Sequence, residues 1–239
     1  MKSFKQYIME AGGQVGGQVE LIKTPLEKAR AYAEKVMAQN NRSLDDQLPN
    51  FDKNYTLMLD RAKQHGREQR IDMPVIDATQ VKHLQKTLQK GHIDVAKPFG
   101  DVTDKSNPFP PFLKGTEAAK FLEGGKKKHD GDKKDDRLSA EIKKVKVSSL
   151  KPIQRQIYVD KAVDKIAIKG MEKYGKKLKE TIIITNHEGY IIDGHHRYFR
   201  AMLVDPEMKI NALVIKMPIK NLLSLSLAYA DARGNERNQ

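Results

Sequence analysis

The residues of this chain that are best suited to catalysis or ligand binding stand together in one short stretch, Asp193-Gly194-His195-His196-Arg197. Its carboxylate, two imidazoles and guanidinium are groups that transfer protons or pair with phosphate oxygens. The glycine lets a ligand approach the backbone closely, because glycine has no side chain. The stretch therefore predicts a phosphate-binding site with catalytic potential. The alternative is a turn at a strand end with solvated polar side chains.

The elements around this stretch predict how it is positioned. A β-branched run at 181–185 and a second strand at 190–192 flank a turn, and a helix follows at 198–203. A strand that leads through a glycine into a helix brings backbone N–H groups and the positive end of a helix dipole to one point, which favours an anion. If the backbone is extended at His195 and His196, their side chains point to opposite sides and one of them faces the ligand.

The remaining pattern towards the C-terminus is that of a compact domain at 140–232, followed by a polar tail at 233–239. A strand is predicted at 142–147, a turn at 150–152, a helix at 158–177 that Gly170 weakens, a strand at 210–217 and a helix at 219–229. We therefore expect an α+β fold in which a small mixed sheet carries packed helices.

A helical region at 21–96 and a linker at 97–139 precede this domain. Helices are predicted from Thr24-Pro25 to 39, at 55–64, and at 80–90 with Asp77 or Thr79 as the cap. The linker is rich in proline and lysine. Its charged run at 124–137 has no apolar period, so we expect this run to be disordered.

The composition of the 239 residues limits the class of protein. Only 38% are hydrophobic, and a formal net charge of +13 predicts contact with DNA or another polyanion, unless the basic surface serves solubility alone. Lysines at 126–134 and 173–179 are candidates for salt-sensitive phosphate contacts. The absence of cysteine excludes disulfides and thiolate chemistry. No apolar run reaches the ~18 residues of a membrane span, so we expect no membrane partner.

The region towards the C-terminus resembles the ParB/sulfiredoxin-like fold. The resemblance covers about residues 140–217 and rests on segments 145–154 and 182–184 and above all on Ile192-Asp193-Gly194-His195-His196-Arg197. It implies that the loop with Gly194 and Arg197 binds the phosphates of a nucleotide or the backbone of a nucleic acid. Sulfiredoxins carry cysteine where this chain has a histidine, so their reductive chemistry is excluded here.

The resemblance also implies roles for single residues. His196, with His195 as the second candidate, carries a proton or donates one to a phosphate, and Arg197 pairs with two phosphate oxygens. Asp193 binds a divalent cation, orients a histidine or acts as a base, and its alternative role is to cap the following helix.

Two further residues are candidates for the phosphate site on the same ground. Gln154 matches a glutamine or glutamate that often follows the proline in these domains. Arg200 stands where the commonest family pattern has alanine, and it adds a candidate phosphate contact. This departure from the family pattern also changes the packing face of the predicted helix.

Three functions follow as hypotheses. The first is a nuclease that uses Asp193, His196 and a divalent metal, Mg²⁺ or Mn²⁺. The second is a phosphotransferase that uses ATP, ADP or CTP and acts on a small hydroxyl compound. The third is a DNA-binding protein without catalysis. A structural zinc site is not expected, because the other histidines lie on polar stretches without His-x-x-x-His spacing.

The first ten residues resemble the capsid-targeting leaders of internal head proteins in T-even-like phages. Apolar residues at 1, 4, 7 and 8 predict a short amphipathic helix, and Ile8-Met9-Glu10 before Ala11 matches the pattern that a prohead protease cuts. The resemblance implies a leader within 1–20, cleavage between Glu10 and Ala11, and contact with a capsid or prohead core. It also implies synthesis in a host cytoplasm and a final place inside the virion head.

Overall fold

The computed structural model describes residues 19–93, 95 and 136–236. This part of the chain contains five strands: β1 (Ala140–Lys146), β2 (Lys151–Pro152), β3 (Ile182–Asn186), β4 (Tyr190–Asp193) and β5 (Lys209–Ile215). The same residues form eight α-helices: α1 (Leu26–Gln39), α2 (Leu44–Gln47), α3 (Phe51–His65), α4 (Ala78–Gln89), α5 (Val159–Lys169), α6 (Met171–Glu180), α7 (His195–Val204) and α8 (Ile219–Ala232). The prediction of an α+β fold with a small mixed sheet is confirmed.

The sheet has the strand order β1-β5-β3-β4-β2. β1 runs antiparallel to β5, and β3 runs antiparallel to β4, whereas β5 pairs parallel with β3 and β4 parallel with β2. β1 forms one edge of the sheet, and its residues 141–144 are all exposed. The short strand β2 forms the other edge and leads into the connection that lies beside the start of α7.

The sheet is buried on both faces, because successive residues of a strand point to opposite sides. Ile183 and Ile191 pack into a core with α1, α3, α5, α6 and α7. Their neighbours Ile184 and Ile192 pack into a second core with α4 and α8. Each side of the sheet is therefore covered by its own set of helices.

The first of these cores joins the helices at the beginning of the described chain to the sheet. It contains residues from Leu21 to Ala62 together with residues from Val147 to Ala212. Polar contacts link the same parts, since Asn54 Nδ2 donates to Leu203 O at 2.9 Å and Tyr32 OH donates to Asp164 at 2.8 Å. The helices within 21–62 thus pack directly on α5 and α7.

Some helix boundaries differ from the sequence prediction for local reasons. α3 begins at Phe51 rather than at 55, because the buried Phe51 ring stacks on Tyr55 with centroids 5.7 Å apart. The predicted helix at 158–177 is two helices, α5 and α6, which are separated by Gly170 at φ 71°. The short helix α2 was not predicted. Asp77 caps α4 as predicted, and its N–H donates to Gln80 Oε1 at 3.2 Å.

The charged run at 124–137 does not remain disordered to its end. Asp136 is only 1% exposed, and its Oδ1 accepts a hydrogen bond from the Val95 N–H at 2.8 Å. The prediction of disorder is therefore wrong for Asp136, where a buried backbone donor needs an acceptor. The rest of the run up to 135 lies outside the described residues, as do Glu10 and Ala11 of the predicted cleavage site.

α8 is the most apolar of the described helices, and all of residues 222–230 are buried. Across the described ranges, none of the helices combines the length and the apolar character needed to span a membrane.

Candidate functional site

The predicted phosphate-binding stretch forms the end of β4 and the first turn of α7. α7 begins at His195 and not at the predicted residue 198, so the backbone at His195 and His196 is helical and not extended. Gly194 allows this early start, because its φ of 101° carries the chain directly from the strand into the helix. A Cβ on Gly194 would lie 2.7 Å from Ile183 Cγ2 and 3.0 Å from Arg197 Nε. Both the backbone angle and the space therefore require glycine.

Asp193 and Arg197 form an ion pair across the start of the helix. Burial raises the pKa of the Asp193 carboxyl, and the charge of Arg197, its hydrogen bond and the Gly194 N–H act in the opposite direction. The carboxylate thus holds the guanidinium and a backbone donor beside the first helical turn. This arrangement orients Arg197. The alternative role of Asp193 as the cap of the helix is wrong, because the N-cap residue is Gly194.

His195 binds the connection that follows β2. Its Nε2 accepts hydrogen bonds from the backbone N–H groups of Ile153, at 3.2 Å, and Gln154, at 3.1 Å. Burial, and then the charge of Arg197, lower the pKa of His195 to about 3. The imidazole is therefore neutral at neutral pH and carries its proton on Nδ1, because Nε2 acts as the acceptor.

His196 makes the equivalent contact at the other end of the same connection. Its Nε2 accepts from the Tyr158 N–H at 3.2 Å, and its ring stacks on the Tyr158 ring with centroids 5.8 Å apart. Burial lowers the pKa of His196 to about 2, and the charges of Lys161, Arg200 and Arg70 act in the same direction. Both imidazoles thus attach residues 153–158 to α7, instead of pointing to opposite sides.

Gln154 and Arg200, the two further phosphate candidates, are used inside the fold. Gln154 is 4% exposed, and its side-chain amide donates to the Gln156 carbonyl. Arg200 is 7% exposed, and its Nε and Nη2 donate to Lys161 O at 3.1 and 2.8 Å. These two side chains therefore position α5 and the connection after β2.

Cations from three separate elements surround the first turn of α7. The Tyr158 ring, which stacks on His196, has Arg70 Cζ at 5.4 Å and Lys161 Nζ at 4.9 Å from its centroid. The pKa of Lys165 is lowered first by the charge of Arg200, then by burial, and then by Lys169, Lys177 and Arg197. We refer below to Arg70, Lys161, Lys165, Arg197 and Arg200 as the cation cluster.

Three members of the cation cluster, Arg70, Lys161 and Lys165, were not singled out from the sequence. A signal for two of them exists, because Lys161 and Lys165 stand four residues apart and share a face of α5. Arg70 has no comparable signal, since only the folded chain brings it to the Tyr158 ring.

Asp193 was predicted as a metal ligand, but the residues around it do not fit a metal centre. Its carboxylate is paired with Arg197, and the Nε2 atoms of both neighbouring histidines already accept backbone N–H groups. Within the residues that the structure describes, no group of three or more His, Asp or Glu side chains is placed to hold a metal ion.

Comparisons of the chain with protein families, with curated proteins and with solved structures gave no match.

Proposed function

We propose that this protein binds phosphate groups of a nucleic acid or a nucleotide at the first turn of α7. The observation that supports this most directly is that the turn begins between cations of α5, of α7 and of the segment before α4. Arg70 and Lys161 both lie over the ring that stacks on His196. An anion in this place would be attracted by each of these charges.

The backbone of the turn supports the same proposal. The first N–H groups of an α-helix have no acceptors within the helix, and the helix dipole places partial positive charge there. Gly194 lets the helix begin directly after β4, because its φ of 101° turns the chain at this point. The cluster also acts on one of its own members, because the charge of Arg200, then burial, and then other cations including Arg197 lower the pKa of Lys165. A bound phosphate would relieve this repulsion.

The geometry supports binding better than proton transfer. With a pKa of about 2, His196 is neutral near pH 7 and has no proton on Nε2 to give to a leaving group. His195 is held in the same state. Nuclease and phosphotransferase activity, with their metal or nucleotide cofactors, remain predictions from the resemblance, and we derive no catalytic step from this site.

The proposal is tested by fluorescence anisotropy with labelled DNA over a series of salt concentrations. We expect Lys161→Gln/Lys165→Gln to weaken binding about tenfold and to lower the slope of log K against log salt by about 1–2. The slope falls because a protein with fewer phosphate contacts releases fewer counterions when it binds. The matched control is Lys28→Gln/Lys35→Gln on α1, which changes the net charge equally at exposed positions. Equal weakening by both variants would overturn the proposal, since it would show a charge effect without a site.

We also propose that the protein binds this ligand inside a phage head. It is supported by the leader-like residues before Ala11 and by a net charge of +13, which suits a compartment filled with DNA. Mass spectrometry of purified particles would find a chain that begins at Ala11. Particles that hold the chain with Met1 intact would contradict the cleavage.

A further inference from the structure

We infer that the ligand is a single-stranded nucleic acid, which continues from the cation cluster along the β2 edge of the sheet to Tyr190. This inference rests on the proposed function and specifies its ligand. The surface concerned consists of Arg67, Arg70, Lys151, Arg155 and Tyr190, and we call it the β2 track.

Backbone hydrogen bonds place the cations of the β2 track in one strip. The N–H groups of Arg67 and Glu68 donate to Ile153 O at 2.8 and 3.0 Å, and the Arg155 N–H donates to Glu68 O at 2.8 Å. The Arg70 N–H donates to Gln156 Oε1 at 2.8 Å. The chain at 66–70 is thereby fixed alongside the connection that follows β2.

The β2 track carries an excess of positive charge. Residues 66–70 and 151–156 contribute the four cations of the β2 track and one carboxylate, Glu68. Arg67 and Arg155 are exposed, whereas Arg70 and Lys151 are half-buried. Since Arg70 also lies over the Tyr158 ring, the strip begins at the cation cluster itself.

An aromatic ring and a cation stand together at the far end of the strip. Lys151 Nζ lies 4.6 Å from the centroid of the half-buried Tyr190 ring, and His65 meets the same ring edge-on with centroids 6.1 Å apart. Burial lowers the pKa of His65, and the charges of Lys151, Arg61 and Arg67 act in the same direction. Positive charge thus extends along the whole strip.

This combination favours a single strand over a mononucleotide or a duplex. Gly194 follows Tyr190 by four residues, directly after the end of β4. At about 3.3 Å per residue this separation is roughly 13 Å, which is longer than a single phosphate group. Cations that follow a backbone, with an aromatic ring for an unpaired base, are the usual features of single-strand binding. A duplex keeps its base faces stacked inside and cannot place them on Tyr190.

The test compares a labelled twenty-nucleotide dT strand with a labelled twenty-base-pair duplex by anisotropy. We expect Arg67→Gln/Arg155→Gln to weaken dT binding about tenfold relative to the Lys28→Gln/Lys35→Gln control, with a reduced salt slope. Tyr190→Leu should weaken dT binding about fivefold or more and leave duplex binding unchanged, while Tyr190→Phe keeps the affinity. The two arginines contact the neighbouring chain through their backbone N–H groups, so the substitutions should leave the fold intact. Thermal melts of each variant check this.

The results separate this inference from the proposed function. If Lys161→Gln/Lys165→Gln weakens dT binding but the Arg67/Arg155 and Tyr190→Leu variants match the control, the phosphate site stands and the β2 track is overturned. If Lys161→Gln/Lys165→Gln also matches the control, the proposed function itself fails. An equal loss of duplex and dT binding in Tyr190→Leu contradicts the preference for single strands.

Discussion

The two histidines of the site serve the fold as neutral acceptors. A backbone N–H that is buried without an acceptor costs free energy, and the Nε2 atoms of His195 and His196 satisfy three such groups at Ile153, Gln154 and Tyr158. An uncharged imidazole can do this inside the protein at a lower cost than a carboxylate. The same two residues therefore hold residues 153–158 against α7, whatever ligand the site binds.

This role predicts a dependence of stability on pH. The pKa values of His195 and His196 in the folded chain are lowered to about 3 and about 2 from an ordinary value near 6.5. As the pH falls below about 6.5, the unfolded chain takes up protons that the folded chain does not, so the free energy of unfolding decreases. The decrease is about 1.4 kcal/mol per pH unit for each histidine.

Chemical unfolding between pH 4 and 7 measures this dependence. We expect His196→Gln to be less sensitive to pH by about one proton, because its Oε1 can accept the Tyr158 N–H but does not titrate. A variant with the same pH slope as the unchanged chain would show that His196 titrates in the folded state.

Gly194 provides a second prediction at the level of one residue. Gly194→Ala should lower the free energy of unfolding by roughly 2–5 kcal/mol, because a positive φ strains alanine and its Cβ would overlap Ile183. Gly234→Ala is the matched control, since Gly234 also has a positive φ, 75°, but no atom lies within 4 Å of its Cβ position. We expect about 1–2 kcal/mol there. Similar losses in thermal or chemical unfolding would mean that the space around Gly194 plays no part.

At the level of elements, the short helix α2 contacts the break between α5 and α6. Gly170 ends α5, and the Met171 N–H at the start of α6 donates to Gln47 Oε1 at 2.8 Å. A side chain from the short helix α2 thus satisfies a backbone donor at the first turn of another helix. The connection between α1 and α3 thereby supports the helix pair beside the site.

Gln47→Ala should therefore destabilise the chain although it lies far from the site in sequence. The loss of a hydrogen bond to a helix start costs about 1 kcal/mol. The control is Gln39→Ala, at an exposed position at the end of α1. Thermal unfolding of both variants measures the difference, and an unchanged midpoint for Gln47→Ala would contradict the contribution of this contact.

The sequence predicted these elements well where the signal was local. The strands β3 and β4 were recognised from their β-branched residues, and α4 from a cap at Asp77 or Thr79. The first turn of α7 was missed, because Gly194-His195-His196-Arg197 has polar residues where an apolar helix period would be expected. The neutral state of the histidines was also not visible, since it depends on Tyr158 and the chain after β2, which only the fold brings near.

At the level of the whole molecule, the sheet and the preceding helices share one core. Residues from α1 and α3 pack with those of α5 and α7. The sheet domain alone would therefore expose the apolar faces of α5 and α7 to water. In the full chain, residues such as Ala29, Tyr55 and Met58 cover these faces and are themselves buried.

A chain limited to residues 136–236 should not fold cooperatively. We expect a broad thermal transition by circular dichroism and poor dispersion of backbone amide signals, whereas the full chain melts in one step. Adding residues 19–93 as a separate chain in excess should restore a sharp transition. A sharp melt of 136–236 alone, at the midpoint of the full chain, would show that the sheet domain is independent of α1 and α3.

The opposite edge of the sheet has a consequence of its own. β1 is an edge strand that presents Lys143, Lys144 and Lys146, and a second strand of the same kind would bring like charges face to face. Without these lysines, the exposed residues of this edge, 141–144 and 146, would be open to pairing with strands of other copies, the arrangement from which fibres grow. Basic side chains at this rim thus keep the molecules dispersed even when many of them are crowded into a small volume.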